Sequence, residues 1–277
     1  MTYRNILVLV DQSGASRTRV AAAIDIARRF GASLTGVFLK SELIPAFFAG
    51  DAFSAVTAVE SFVENRKHVI AGASAAARGQ FETAVRNVGL PFNWAEINGD
   101  DDLAIIACAR RFDLSILPRA MQAAGGVYTV EASRVAMANG GPVLILPELG
   151  YPVPFGRKIL VAWKESRESA RALRDAWPFL SMAEEVHFVT VSPDATPEFD
   201  GFQQFNLNAH GCQSAKLIVD RNDDVATGDT IALRAGMVGA DMIVLGLYGH
   251  SRLQEVLLGG VSREMLGALE LPLLVSH

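Results

Sequence analysis

Continuous apolar runs recur along the chain and read as buried strands. Ile6-Leu7-Val8-Leu9-Val10 is the first, residues 34–39, 114–117 and 143–146 follow, and a further strand is expected near residues 92–97. Between them lie stretches of helical spacing, such as Val20, Ile24 and Ala27 within residues 18–30. The series then starts again. Arg4 to Ser13 aligns with Arg157 to Ser166, a displacement of 153 positions, and each segment leads into an alanine- and arginine-rich helical pattern. In the second copy that pattern places Ala172, Leu173, Ala176 and Phe179 on one face, and a strand follows at residues 186–191. Later pairs match as well: residues 103–107 with 231–235, 113–117 with 241–245, and 142–146 with 272–276.

Each copy therefore reads β-α-β-α-β-α-β-α-β. Unbroken apolar strands alternating with helices predict a parallel sheet covered on both faces. Right-handed crossovers make such a sheet doubly wound, with ligands at the carboxyl ends of its strands. Gly150-Tyr151-Pro152-Val153-Pro154 marks the boundary, giving units 1–150 and 151–277. So short a connection predicts that the units pack on each other as an internal pseudo-dimer. The first unit carries an insert, with Phe47-Phe48-Ala49-Gly50 as a loop or cap and a long helix over residues 60–88, with Phe62, Val69 and Phe81 along it. The matching stretch of the second unit, residues 193–211, is shorter and more polar.

Composition narrows the function classes. Half of the 277 residues are hydrophobic, a fifth are charged, and the net charge is -5. A soluble globular protein is expected, and the lack of a basic run argues against nucleic acid as a partner. No apolar run is long enough for a membrane span. The first strand begins almost at Met1, so no leader is expected and the protein is read as cytoplasmic. Cys108 and Cys212 are far apart and read as free core thiols.

The chemistry-bearing stretch lies near the end. Gly246-Leu247-Tyr248-Gly249 follows the strand at 241–245, and Gly259-Gly260-Val261-Ser262 comes after nine further residues. Glycines between a parallel strand and a helix start let backbone N–H groups approach an anion, and the helix dipole adds to the attraction. The spacing is neither the P-loop nor the dinucleotide fingerprint, and a ligand-free glycine turn explains the glycines equally well. The first unit has Pro118-Arg119-Ala120-Met121 instead, with Gly125 and Gly126 at different spacing.

An acid ending the first strand, together with G-x-x-G, nine residues and a further glycine, resembles the universal stress protein family. The resemblance covers nearly the whole chain and is to the tandem kind, with two family units in one polypeptide. It implies an α/β fold with two doubly wound five-stranded sheets in the order 3-2-1-4-5, and pairing through the last strands, here residues 143–146 and 273–276. It also implies binding of ATP or AMP, with Mg2+ accompanying a bound nucleotide. On this resemblance the site in the second unit comprises Ala162, Trp163 and Lys164 after the first strand and Val191 after the second. Gly246, Gly249, Gly259, Gly260, Val261 and Ser262 would face phosphate, and Arg252 would neutralise it. Two positions depart from the family pattern. Lys164 stands where the acid belongs and cannot accept from an adenine amino group. Gly260 stands where a Ser or Thr is usual. Asp11 keeps the acid, but in the unit without the glycine loop.

Other residues have plainer readings. Trp163 reads as core, with base stacking as the alternative. His250 and Arg263 read as exposed near the loop. Asp241 reads as a turn or cap, Asp100-Asp101-Asp102 as a helix start complementing the dipole, and His187 and His210 lack metal-ligand spacing. Two function classes remain: a nucleotide-responsive stress or regulatory protein acting through an unknown protein partner, and an interaction protein using its pseudo-dimer surface without nucleotide. No nucleophile–base pair or metal-binding carboxylate accompanies the loop, so an enzyme is not expected, a slow ATPase being the residual alternative. A homodimer of the whole chain is compatible with either class.

Overall fold

A computed structural model describes residues 2–41, 54–148, 150–192, 198–221, 227–247 and 270–277. The first half contains β1 (Asn5–Leu9), α1 (Gly14–Phe30), β2 (Ser33–Lys40), α2 (Ser54–Arg86), β3 (Phe92–Asn98), α3 (Leu103–Ala109) and β4 (Leu114–Pro118). It ends with β5 (Ala120–Gln122), β6 (Thr129–Glu131), α4 (Ala132–Asn139) and β7 (Val143–Leu146). The second half contains β8 (Lys158–Ala162), α5 (Arg167–Leu180), β9 (Glu185–Val191), α6 (Gly201–Ala209), β10 (Lys216–Asp220), α7 (Thr227–Val238), β11 (Met242–Gly246) and β12 (Leu273–Ser276).

The main strands form one ten-stranded sheet in the order β10-β9-β8-β11-β12-β7-β4-β1-β2-β3. Each half contributes five parallel strands in the expected 3-2-1-4-5 order. The two five-stranded runs, expected as two sheets paired through their last strands, form one continuous sheet. β12 pairs antiparallel with β7, with Leu274 opposite Leu144. Both strands are buried along their whole length. Unpaired, each would leave an apolar edge with unsatisfied amides, and pairing removes both edges at once.

Strand side chains alternate between two cores. Ile6 and Val8 face the layer formed by α1, α2, α5 and α6, and Leu7 and Leu9 face the layer of α3, α4 and α7. Each core runs through both halves. The internal repeat is visible in single hydrogen bonds. Ser13 caps α1 by accepting from Ser16 N at 3.0 Å, and Ser166 caps α5 by accepting from Ser169 N at 3.2 Å. Asp113 accepts from Arg4 N and Asn5 N, and Asp241 accepts from Gly156 N, Arg157 N and Lys158 N. Each acid thereby fixes the start of the neighbouring first strand, so Asp241 has a structural task.

Two local expectations change. The long helix packs through Phe81, which lies against Phe92 and Trp94 and fills the space left open by Gly36. Phe62 and Val69 are exposed rather than part of that contact. After β4 the chain forms the β5–β6 hairpin, with Met121 opposite Val130. Cys108 and Cys212 are free thiols, as expected, and burial pushes both upward in pKa. The insert residues Phe47, Phe48 and Phe53 lie outside the described residues.

Candidate functional site

In the second half β8 and β11 lie side by side in the sheet, so their carboxyl ends share one edge. Ala162 ends β8 and pairs with Leu245 on one side and Val189 on the other. Trp163 continues from it, half-buried, its ring edge-on to Phe188 at 6.5 Å. Its backbone N–H donates to Val189 O at 2.8 Å. Lys164 is exposed, and Val191 ends β9 partly exposed. Those four residues and Gly246 therefore share one edge of the sheet. Gly249, Arg252, Gly259, Gly260, Val261 and Ser262 lie outside the described residues, as do His250 and Arg263.

Gly246 has a role that its sequence context does not reveal. A Cβ there would lie 2.5 Å from both Glu168 C and Ser169 N. The first turn of α5 rests directly on this residue, so that face of Gly246 is closed to a phosphate. Glu168, one position into α5 and 8% exposed, is paired with Arg167 at 3.0 Å. Burial raises its pKa, but the Glu168 backbone amide and Arg167 outweigh that and hold it below the usual carboxylate range. This acid complements the α5 dipole, and the helix start is not an open anion site. Sequence reasoning missed it, although its place right after the Ser166 cap was a usable signal.

The first half carries a cavity of about 410 Å3 at the equivalent edge. Leu9, Val10 and Asp11 come from the end of β1, Phe38 and Leu39 from β2, and Met121 from the hairpin. Glu148 reaches it from the connection between the halves. Inside, Asp11 accepts from Ser13 N and from Arg19 Nη2, both at 2.6 Å. Arg19 Nε donates to Leu9 O at 2.8 Å, and the residue is buried at 3% exposure. Burial acts to raise Asp11, yet the Ser13 hydrogen bonds and Arg19 outweigh it and lower its pKa. Burial pushes Arg19 downward while Asp11 offsets part of that. Tyr151 lies within the electrostatic reach of Arg19; its phenol is pushed up to about 12 by burial, with Arg19 pulling the other way.

Because Asp11 is lowered, its stabilisation is present above the unfolded carboxylate pKa of about 3.9 and fades as pH falls through the folded value. Arg19→Met should flatten that acid-side loss, as read from urea midpoints between roughly pH 3 and 6. An unchanged slope would show that Arg19 does not hold Asp11 ionised.

The connection after β4 closes this half differently from a glycine loop. Ala124 N donates to Leu39 O at 2.9 Å, and Ser41 N donates to Ala124 O at 3.0 Å, which ties the connection to the end of β2. A Cβ on Gly99 would meet Ala123 at 2.7 Å, and one on Gly125 would meet Ile70 of α2 at 2.9 Å. The backbone is thus pinned between β2, β3 and α2. In the second half the positions of Asp11 and Arg19 are taken by Lys164 and Ala172.

Among the described residues no helix is long and apolar enough to cross a membrane, and no group of three His, Cys, Asp or Glu side chains is placed to hold a metal.

Comparison with solved structures places this architecture in a known class. A universal stress protein from Archaeoglobus fulgidus DSM 4304 superimposes with a TM-score of 0.70 at 17% identity, covering 98% of this chain and 97% of that one. A protein from Pseudomonas aeruginosa UCBPP-PA14, named as a candidate universal stress protein, gives 0.62 at 16% identity, covering 99% and 93%. A protein of unknown function from Pseudomonas aeruginosa PAO1 gives 0.61 at 16% identity, covering 99% and 92%. No protein-family model and no curated protein sequence matches the chain. The fold is that of the universal stress proteins.

Proposed function

We propose that the chain is a universal stress protein built as two family units, 1–150 and 151–277. In this reading it is a nucleotide-responsive regulatory protein that binds ATP or a related adenine nucleotide in the second unit. The observation that carries this reading is that Trp163, Lys164, Val191 and the end of β11 lie together at the carboxyl edge of the sheet, where doubly wound folds place their ligands. The sequence then continues from β11 into the glycine set. Trp163 offers a flat apolar edge to a base, and Lys164 offers charge to a phosphate in place of the missing acid. Binding without turnover follows from the absence of a nucleophile–base pair in the sequence around the glycines.

Calorimetric titration of the full chain with ATP, with and without Mg2+, tests this. One site per chain and no sustained phosphate release are expected. Gly259→Val should lower affinity at least tenfold, because a side chain would fill the space the phosphates need. Lys164→Asp should strengthen adenine recognition if the natural site is a weakened copy. Equal affinity of Gly259→Val and the parent would rule out the loop. The described geometry also favours a second reading. Glu168 already occupies the α5 N-terminus, as it would in an interaction protein that has given up its nucleotide; no ATP binding by the parent would support it.

A further inference from the structure

We propose that the outer edge of β3 is a self-association surface, on which a second copy of this chain lays its own β3 antiparallel about a two-fold axis at Ala95. β3 ends the ten-stranded sheet. Its inner side is fixed by the ladder to β2. Leu34 N donates to Pro91 O at 3.0 Å and Gly99 N donates to Lys40 O at 2.9 Å, with Leu34 opposite Phe92 and Lys40 opposite Asn98. Backbone groups alternate sides along a strand, so the amides and carbonyls of Asn93, Ala95 and Ile97 point at β2. Those of Phe92, Trp94, Glu96 and Asn98 point outward, and among the described residues no strand pairs with them.

An unpaired edge is usually blunted by lysine, proline, a bulge or shortness. β10, at the opposite edge, is five residues long and carries Lys216 and Asp220. β3 is seven residues long, keeps unbroken register with β2, and has neither lysine nor proline. Its one charged residue, Glu96, accepts from Ser74 Oγ of α2. Phe92, Trp94, Ala95 and Ile97 are not fully buried. In β7 and β12, which pair with each other, every residue is buried. The chain therefore closes its central edges and leaves this one open.

The order of residues in β3 suits its own copy. With the axis at Ala95, Trp94 exchanges both backbone hydrogen bonds with Glu96 of the second copy, and Phe92 does so with Asn98. Every outward group is then matched. Ala95 meets itself at a non-hydrogen-bonded position, where Cα atoms lie about 4.5 Å apart, and it has the smallest side chain of the strand. A shift by two residues in either direction leaves outward groups unmatched, and one of these shifts sets Glu96 against Glu96, like charges directly opposite. Above the sheet, α2 packs over both β2 and β3. Pairing at the usual strand spacing would bring α2 to roughly 10 Å from its copy, an ordinary helix packing distance. Ala71 and Ala75, exposed and one turn apart beside Ser74, keep that flank small. Such a contact is isologous and closes at the dimer. Nucleotide binding in the second half neither requires nor forbids it.

Sedimentation velocity on the full chain between about 1 and 100 µM should show monomer giving way to dimer, as suits an interface of modest size. Amide hydrogen exchange should show Phe92, Trp94, Glu96 and Asn98 gaining protection as concentration rises, with Asn93, Ala95 and Ile97 protected throughout. Ala95→Lys and Ala95→Glu should each weaken self-association at least tenfold, because like charges then meet at the axis. Thermal midpoints report whether both still fold, and the parent's exchange pattern decides alone if either does not. Mixing the two variants should restore dimers, since lysine then faces glutamate; a merely local distortion would gain nothing from mixing. A monomer over the whole range would overturn the proposal. So would a dimer untouched by both substitutions, or a mixture of folded variants that stays monomeric. Protection of the outward amides in a particle of monomer mass would also overturn it, by showing a different extended segment on the edge.

Discussion

Replacing Gly246 by valine is expected to unfold the second half or leave it barely stable, and even Gly246→Ala should cost about 2–4 kcal/mol. A Cβ at this position would sit 2.5 Å from Glu168 C and Ser169 N, and 2.7 Å from Glu168 O. These atoms belong to the backbone of α5, so no rotamer change can move them. The helix would have to lift from the sheet, and it carries Ala172, Leu173, Ala176 and Trp177 in the core. Losing that packing costs far more than the entropy regained by removing a glycine, about 0.5–1 kcal/mol. Gly236→Ala in α7 is the matched control. A Cβ there meets nothing within 4 Å, so it should be neutral or stabilising by up to about 1 kcal/mol. Urea denaturation of the three proteins reads the difference directly. Equal midpoints for the parent and Gly246→Ala would mean that the α5 start is not seated on β11 as described.

The same residue shows where sequence legibility ends. A glycine closing a parallel strand has one signature whether a phosphate or a neighbouring helix approaches its backbone. The distinction lies in where the start of α5, Glu168 and Ser169, lands, far earlier in the chain, and no local pattern encodes it. By contrast, the displacement of 153 was readable because Ser13 and Ser166 do the same work at equivalent helix starts. The strand order within each half followed from the family resemblance. The continuity of the sheet followed from the same resemblance, which implies pairing through the last strands, here β7 and β12, both apolar throughout.

The first-half cavity was hidden for a different reason. No glycine loop marks it in the sequence, yet Pro118 and the hairpin build a wall there. Met121 and Val130 are buried between exposed neighbours, an alternation that marks both short strands. At three residues each, that alternation is too brief to stand out. Asp11 was visible as an acid after β1. Its partner was not, because Arg19 lies eight positions on and reaches back only once α1 has folded over the strand.

Phe179→Ala is the second change with a large expected effect, and it tests whether the halves stand or fall together. Phe179 belongs to α5 of the second half and is 1% exposed. It packs edge-on against Phe30 of α1 at 5.1 Å and lies 5.7 Å from Tyr3, which is itself 5.2 Å from Phe30. Tyr3 also donates its hydroxyl to the carbonyl of Asp175 in α5. The cluster therefore bolts α1 and the start of β1 to a helix from the other copy, independently of the β7–β12 pairing. Truncation removes a buried ring and leaves a cavity, a loss of about 3–5 kcal/mol. Phe81→Ala, equally buried but packed wholly within the first half, should cost a similar amount in a different place. Hydrogen exchange distinguishes the two. Phe179→Ala should speed exchange in both β1 and β8, while Phe81→Ala should act mainly on β2 and β3. A double-mutant cycle between Tyr3→Leu and Phe179→Leu should return a coupling of about 0.5–1.5 kcal/mol. Zero coupling, with exchange altered only in the second half, would mean that the strand pairing alone joins the two copies.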